Sequence, residues 1–330
     1  MLFRSEADQG ARTGTISHDL GAQDAQRRGR VREIIEAGGM RTAADHFHAA
    51  MVFQHGDNPD DYKLAHDLAK KAAELDPSHR AAKWLSAAAM DRWLRSTGRP
   101  QVYGTQYMVM HDVWVLQPID ETAVTDDQRL ALGVPTLAAA KAKVVTENSK
   151  RTLAAEDNRV LDGLLVEFVT EQVRAGRPGE GPDTPRLHEI SEKAAGIVDA
   201  GGAKTARDLS SAAAMLEAFA ETLDDYRRVL ALMEKARELS PDDPRLGMTY
   251  ARAVDRVKVA EGGGQWYGTF ALPPEKTASG RWEAPQLDPA SPITDEERAK
   301  LGIPGPAEWA AMVERLNRER PATGPAKPKK

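Results

Sequence analysis

The chain contains two related copies of one segment, and this internal duplication constrains its fold more than any other feature. Shifting the sequence by 164 residues aligns 71–105 with 235–269 without a gap, and 14 of the 35 positions are identical. Average residue usage gives only about two or three chance identities over that length. At a spacing of 169, the match continues to Gly133-Val134-Pro135 and Gly302-Ile303-Pro304. The duplication predicts two lobes that share one fold.

Helix start and stop signals follow the same order in each copy. In the first copy, Gly38-Gly39 ends one helix and Thr42 caps the start of the next. Asn58, followed by a proline and two aspartates, begins a third helix that stops at Asp76-Pro77. A fourth helix is predicted over about 78–96. The pattern therefore predicts a bundle of antiparallel neighbours joined by short connections.

The residue pattern changes after the fourth helix from a helical period to an alternating one. Alternating apolar residues on either side of His111-Asp112 predict a β-hairpin within 101–118. A looser equivalent is predicted over 265–287, where Pro273-Pro274 weakens strand pairing. Helical patterns return over 125–147 and 150–175.

These signals predict a mainly α fold of duplicated tetratricopeptide-like helical lobes, each with a short β-hairpin. The tetratricopeptide likeness rests on about 40 residues per copy, where two helices carrying small residues are joined by Glu-Leu-Asp-Pro in the first copy. The predicted lobes are 23–175 and 186–320, separated by a glycine- and proline-rich linker over 176–185. Residues 1–22 and 321–330 are predicted to be disordered.

Composition excludes several functional classes. The net charge of −5 gives no electrostatic reason to expect a nucleic acid partner. The absence of cysteine excludes disulfides, thiolate catalysis and cysteine-ligated zinc. No apolar run is long enough to span a membrane, and the charged N-terminus lacks a signal peptide pattern. We therefore expect a cytoplasmic protein with no membrane partner.

No pattern in the chain predicts a metal or a cofactor. His48 and His55 share one helix face, but no carboxylate stands at ligand spacing from them. Gly262-Gly263-Gly264 follows a helix, whereas a dinucleotide-binding loop follows a strand. The prediction is no bound metal and no cofactor.

The duplication also serves as an internal control for function. Residues shared by both copies are explained by the fold, and polar residues present in one copy alone mark a candidate site. The sequence alignment pairs Gln54-His55 with Ala218-Phe219, and Gln106 with Phe270. Asp91-Arg92 has the equivalent Asp255-Arg256, which favours a structural ion pair or a tether between helix and hairpin. The first copy is thus the predicted site of function.

An antiparallel bundle brings the start of the first helix and the ends of the second and fourth to one end. The loop before the hairpin leaves the fourth helix at that same end and can fold over it. The polar residues expected there are Asp24, Arg27, Gln54, His55, Asp91, Arg92, Gln101, Tyr103 and Gln106.

Four motifs in this region resemble an uncharacterised bacterial family, a domain of unknown function. They are Gln23-Asp24 with Arg27, Gln54-His55, Asp91-Arg92, and the run Gly-x-x-Gln-x-Tyr-Gly-Thr-Gln over 98–106. The resemblance spans roughly residues 20–145, and its last motif is the most specific. The C-terminal half resembles a diverged copy. The resemblance implies a shared fold and a shared site, but no reaction.

Three functions are compatible with these residues. The first is a binding module that holds a peptide, a partner protein or a small ligand through Asp24, Arg27, Gln54, His55, Gln101 and Gln106. The second is a hydrolase or transferase with His55 as general base, Asp91 orienting it, and Arg92 or Tyr103 stabilising negative charge. The third is a pure scaffold, in which His55 interacts with the negative end of its helix. The sequence does not decide whether the protein is an enzyme.

Overall fold

A computed structural model describes residues 20–56, 58–175, 184–274, 277 and 279–319. The described residues form thirteen helices and one two-stranded antiparallel sheet. They divide into two compact units. The N-terminal unit runs to Arg151 and includes residues 173–175, and the C-terminal unit begins at Thr152. The prediction of a mainly helical fold with a small hairpin is confirmed.

The N-terminal unit begins with four consecutive helices. Neighbouring helices contact each other, and the unit ends with a hairpin and two further helices. Its elements are α1 (Leu20–Glu36), α2 (Ala43–Phe53), α3 (Pro59–Leu75), α4 (Arg80–Ser96), β1 (Tyr107–Met110), β2 (Val113–Leu116), α5 (Asp126–Ala131) and α6 (Leu137–Ser149).

The C-terminal unit repeats that order of helices after one additional helix. The additional helix is α7 (Arg159–Ala175), whose last residues, 173–175, belong to the N-terminal unit. The repeated elements are α8 (Pro185–Asp199), α9 (Ala206–Glu217), α10 (Leu223–Leu239), α11 (Pro244–Ala260), α12 (Asp295–Lys300) and α13 (Pro306–Glu319).

The helices of the N-terminal unit begin and end at the residues that the sequence predicts. The Thr42 hydroxyl accepts a hydrogen bond from the Asp45 N–H, and the Asp45 carboxylate accepts one from the Thr42 N–H at 2.8 Å. Asn58 caps α3 by accepting the Asp61 N–H at 3.0 Å. Gly38 ends α1 with a φ of 68°, which suits glycine. Local chain chemistry therefore sets these boundaries.

The core of the N-terminal unit lies among α2, α3 and α4. It is rich in alanine, which lets the helix backbones approach closely. Its buried residues are Ala49, Ala50, Phe53, Ala65, Leu68, Ala69, Leu85 and Ala89. Val31 and Ile35 of α1 pack against this cluster. Burial of this apolar surface supplies most of the driving force for the unit's folding.

The predicted hairpin forms where it was expected. β1 pairs with β2 from Tyr107 opposite Leu116 to Met110 opposite Val113. His111 and Asp112 form the two-residue turn with φ angles of 49° and 64°, as a type I′ turn requires. The Asn148 side chain of α6 bonds the Trp114 N–H at 2.8 Å and the Trp114 carbonyl at 2.9 Å, so it acts as a short additional strand along β2.

The second hairpin is looser, as predicted. Among the described residues it contains only isolated bridges, between Leu272 and Glu283 and between Gln265 and Leu287. Asn317 of α13 nevertheless holds Trp282 through the same two hydrogen bonds, both 2.9 Å long. The clamp between asparagine and tryptophan is therefore common to both copies.

Three details differ from the sequence-based boundaries. The helical pattern over 125–147 is two helices, because Gly133 adopts a φ of 70° and Pro135 cannot continue α5. Residues 150–158 precede α7 and are not helical, and residues 20–22 belong to α1. The predicted disordered segments, 1–22 and 321–330, otherwise lie outside the described residues, as does most of the linker, 176–183.

Most of helix α7 belongs to the C-terminal unit. The sequence-based boundaries had placed this segment in the first lobe, before the predicted linker. The Asn158 N–H donates to Asp208 at 2.8 Å, and the Phe168 ring lies edge-on against Phe219 at 6.5 Å. The first contact lies at the start of α9 and the second lies just after its end. Their physical basis is the burial of Leu161, Leu165 and Phe168 on one face of α7.

Candidate functional site

The loop between α4 and β1 is fixed by Asp91. This carboxylate is fully buried, and one oxygen accepts the N–H groups of Val102 and Tyr103 at 2.9 and 3.0 Å. The other oxygen accepts the N–H and hydroxyl of Thr105 at 2.9 and 2.7 Å. All four donors satisfy the charge of a buried carboxylate. Asp91 is therefore a tether for the loop.

Arg129 of α5 holds the carbonyl groups of the same loop. Its side chain is buried and donates to the carbonyl oxygens of Tyr103 at 3.2 Å and Val102 at 3.0 Å. It also donates to the Val124 carbonyl and to Asp126. Sequence analysis did not single out this residue, although its alignment with Arg298 marked it as shared by both copies.

Gln101 closes the loop from inside. Its side chain is fully buried, and its amide nitrogen donates to the carbonyls of Gln106 and Gln117 at 2.9 and 2.8 Å. Its amide oxygen accepts the Gln106 N–H at 2.9 Å. Sequence analysis proposed Gln101 as a ligand-binding residue, but the backbone already uses both ends of this amide.

The second copy builds the same loop with the same residues. Asp255 accepts the N–H groups of Trp266, Tyr267 and Thr269 at 2.7 to 2.8 Å. Gln265 donates to the Phe270 carbonyl at 2.7 Å. Because both copies keep this arrangement, it belongs to the fold and gives the loop its position.

Arg92 joins three elements at the end of the bundle. Its guanidinium donates to the Gln54 carbonyl, at the end of α2, at 2.7 Å. It also donates to the Gln106 side-chain oxygen, in the loop, at 3.4 Å. The Gln106 amide in turn donates to the Ala88 carbonyl at 3.3 Å and the Thr105 hydroxyl at 2.9 Å. The structure thus brings Gln54, Arg92 and Gln106 together.

The Gln54 carboxamide is the most available polar group of this cluster. Its nitrogen donates to the Met51 sulfur at 3.1 Å, and a thioether is a weak acceptor. Its oxygen accepts no hydrogen bond from any residue in the described part of the chain. The side chain is half-buried, as are those of His55, Arg92 and Gln106. A ligand at this end of the bundle can replace the weak contact with the sulfur.

A buried ion pair between Arg28 and Asp61 contacts the backbone of His55. Arg28 of α1 donates to the His55 carbonyl at 3.1 Å and pairs with Asp61 at 3.1 Å. Asp61 is only 1% exposed and also pairs with Arg32. The pair fixes α1 against the turn between α2 and α3, and so it fixes the backbone of His55. Sequence analysis used Asp61 only as a signal for the start of α3, and it did not single out Arg28.

Gly56 allows Asp61 to approach this turn. A Cβ atom on Gly56 would lie 2.2 Å from the Asp61 Cβ and 2.7 Å from an Asp61 carboxylate oxygen. Both distances are far below van der Waals contact. The absence of a side chain at Gly56 is therefore a condition for the buried pair.

The remaining predicted site residues lie nearby with other partners. Arg27 donates to Asp24 at 2.9 Å, and both are on α1. Burial raises the pKa of the Tyr103 hydroxyl, and the Asp91 carboxylate raises it further. Tyr103 is therefore a neutral donor at physiological pH.

Gln54 has two counterparts in the second copy, because α9 is one residue longer than α2. Counted from the N-caps Thr42 and Thr205, Gln54 stands at the helical position of Glu217. Counted from the other end, Gln54 and Ala218 are the C-cap residues of their helices, as the sequence alignment pairs them.

The corresponding end of the second copy is closed by charge and aromatic contacts. Glu217 accepts two hydrogen bonds from Arg252, at 2.8 and 3.1 Å, and lies 3.7 Å from Arg256. The Arg256 guanidinium lies 4.3 Å from the centre of the Phe270 ring. In the first copy, the equivalent Arg92 instead contacts the backbone carbonyl of Gln54 and the neutral carboxamide of Gln106.

No group of three or more histidine, aspartate or glutamate side chains is placed to hold a metal ion in the part of the chain that the structure describes. Among the described helices, none is both long and apolar enough to cross a membrane.

Residues 18–145 match the model of a family of unknown function, DUF6624, which confirms the resemblance to an uncharacterised family. The match covers α1 to α5 and most of α6, and so it includes the whole polar cluster. Comparison with curated proteins and with solved structures gave no match.

Proposed function

We propose that the chain is a helical-repeat binding module whose N-terminal unit holds a peptide or a small ligand at the end of α2. The observation that carries the proposal is the bridge from Arg92 to Gln54 and Gln106, beside a carboxamide oxygen that accepts no hydrogen bond from the described residues. Three separate elements supply these groups, and tethers outside the cluster hold each element in place.

The chemistry of the cluster suits a ligand with carboxylate or amide groups. The two carboxamides can both donate and accept hydrogen bonds, and the guanidinium of Arg92 matches the geometry of a carboxylate. His55 adds an imidazole, whose ring nitrogens can donate or accept a hydrogen bond. A peptide end, or a small molecule with the same groups, is the ligand class that fits.

The second copy supports this assignment through contrast. Its arginine, Arg256, is paired with Glu217 and covered by Phe270, so a ligand would have to displace an ion pair and an aromatic ring. The first copy requires no such displacement at Gln54. We therefore place binding in the N-terminal unit.

The hydrogen bonds that Asp91 accepts favour binding over a catalytic mechanism in which Asp91 orients His55. A carboxylate that orients a general base must hydrogen-bond the imidazole directly or through a water. Both oxygens of Asp91 are occupied by Val102, Tyr103 and Thr105.

The proposal has four further parts. The helix pairs are tetratricopeptide-like, the protein is cytoplasmic, its family is bacterial, and it has no nucleic acid partner.

A thermal-shift screen with peptides, metabolites and divalent metals tests the function. The variant Gln106→Phe copies Phe270, onto which an equivalent arginine already packs, so we expect it to fold. A ligand of the proposed site raises the melting temperature of the wild type, and raises it much less in Gln106→Phe and His55→Ala. Phe270→Gln is the matched control and keeps the shift. Ligands that stabilise all variants equally contradict the site, and a screen without any stabilising ligand favours the scaffold.

A further inference from the structure

A groove lies at the start of α4, away from the polar cluster. It has a volume of about 630 Å³ and runs between the first turns of α4 and the end of α5. Its walls are Arg80, Ala81, Lys83 and Trp84 on one side and residues 130–133 on the other. The volume lies within the range of ligand sites.

The groove exposes large apolar side chains. Trp84 is 37% exposed and Leu130 is 56% exposed, and they line opposite walls. Exposed aromatic and aliphatic groups that face each other across a groove are typical of a binding surface.

The second copy closes the corresponding space. Gly247 stands on α11 where Lys83 stands on α4, and Leu301 follows α12 where Leu132 follows α5. A Cβ atom on Gly247 would lie 2.5 Å from a terminal carbon of Leu301, so the leucine packs directly on the glycine. In the first copy, Lys83 and Leu132 stand at these two positions and line the open groove. The contact between Gly247 and Leu301 thus fills the corresponding space in the second copy.

The α4 wall of the groove is positively charged. Arg80 is exposed and Lys83 is half-buried, and neither forms an ion pair with any residue that the structure describes. The pKa of Asp76 lies below its usual value, mainly because Ser78 donates hydrogen bonds to its carboxylate. The positive charge of Lys83 also lowers this pKa. The whole chain carries a net charge of −5, so this local positive edge is not a consequence of composition.

We propose that the groove binds a short acidic peptide segment of a partner protein. A large apolar side chain of the peptide packs between Trp84 and Leu130, and its carboxylates contact Arg80 and Lys83. Positive charge beside an apolar slot gives both attraction and specificity. Arg80 and Arg92 stand about 18 Å apart along α4, from the helical rise per residue, so this site does not depend on the proposed function.

A displayed library of short random peptides, panned on the full chain, tests the proposal. We expect enriched peptides to combine Asp or Glu with Leu, Phe or Trp. Their affinity is then measured by fluorescence polarisation. Replacing both Arg80 and Lys83 by Glu lowers the affinity by roughly tenfold or more, since attraction of the peptide carboxylates by two cations becomes repulsion by two anions. Lys70→Glu reverses an exposed charge outside the groove and leaves the affinity within about twofold.

Two further variants keep the test decisive. Lys83→Gly copies Gly247 and lets Leu132 close the groove, and Trp84→Ala removes one apolar wall. Both are expected to lose binding while the far-ultraviolet circular dichroism spectrum stays unchanged. The proposal is overturned if no peptide is enriched, if enriched peptides are not acidic, or if they bind these variants and the Lys70→Glu control equally well.

Discussion

Asp91 and Arg129 bind opposite polar groups of the same loop. Asp91 accepts the N–H groups of Val102 and Tyr103, and Arg129 donates to the carbonyl oxygens of the same two residues. The two side chains come from α4 and α5. Together they fix a non-helical segment at the end of the bundle, which places Gln106 beside Arg92.

The tether predicts a large loss of stability for Asp91→Ala. Three N–H groups and one hydroxyl lose the buried carboxylate that accepts their hydrogen bonds, which costs about 3–5 kcal/mol of unfolding free energy. Hydrogen exchange at residues 102–105 and urea unfolding of the N-terminal unit measure the effect. Asp127→Ala, at an exposed carboxylate of α5, serves as the control and changes stability by about 0.5 kcal/mol or less. Unchanged exchange in the Asp91 variant would show that the loop has another support.

Two glycines of the same unit are expected to respond to alanine with opposite signs. Gly56→Ala forces a Cβ atom into Asp61 and disrupts its pair with Arg28, so we expect a loss of about 2 kcal/mol or more. Gly29 lies inside α1 with open space around it, so Gly29→Ala gains about 0.5–1 kcal/mol. Thermal and urea unfolding compare the two. Equal effects would mean that Gly56 is not required for close packing.

The side chain of Asn148 is expected to hold the first hairpin. Asn148→Ala leaves the N–H and carbonyl of Trp114 without their partner, which costs about 1–3 kcal/mol. Faster amide exchange at Trp114 is the direct measurement. Asn317→Ala is the matched variant and accelerates exchange at Trp282 while Trp114 stays protected. Acceleration at both tryptophans in either variant would contradict two separate clamps.

Alkaline pH is expected to destabilise the loop through Tyr103. Burial raises the pKa of this hydroxyl in the folded state above its unfolded value of about 10. The folded state then binds more protons than the unfolded state, so stability is complete below about pH 10 and falls as the pH rises through the folded pKa. Unfolding midpoints across this range measure the slope. Tyr103→Phe flattens the slope, and an unchanged slope would assign it to other tyrosines such as Tyr107.

Much of the fold could be predicted because its signals are local. Thr42, Asn58 and Gly38 act on backbone groups within a few residues, so their effect is readable from spacing alone. The hairpin turn at His111-Asp112 is local in the same sense. The break between α5 and α6 was missed, although Gly133 and Pro135 signal it, because helical residues continue on both sides.

The candidate site could be predicted only in part. The neighbourhood of Gln54, Arg92 and Gln106 follows from antiparallel packing, and the structure contains it. The occupation of Gln101 by the backbone does not follow from the sequence. Nor does the second counterpart of Gln54, Glu217, because a gapless sequence alignment does not show that α9 is one residue longer than α2.

The sequence by itself determined the duplicated order of helices, their caps and the end of the bundle where polar residues collect. Each of these depends on neighbours along the chain. Only the tertiary structure decided which polar side chains are already occupied and which spaces stay open, as Asp91 and the groove at Lys83 illustrate. The physical reason is that a hydrogen-bond partner or a packing neighbour can stand far away in sequence, as Leu301 does from Gly247, on which it packs directly.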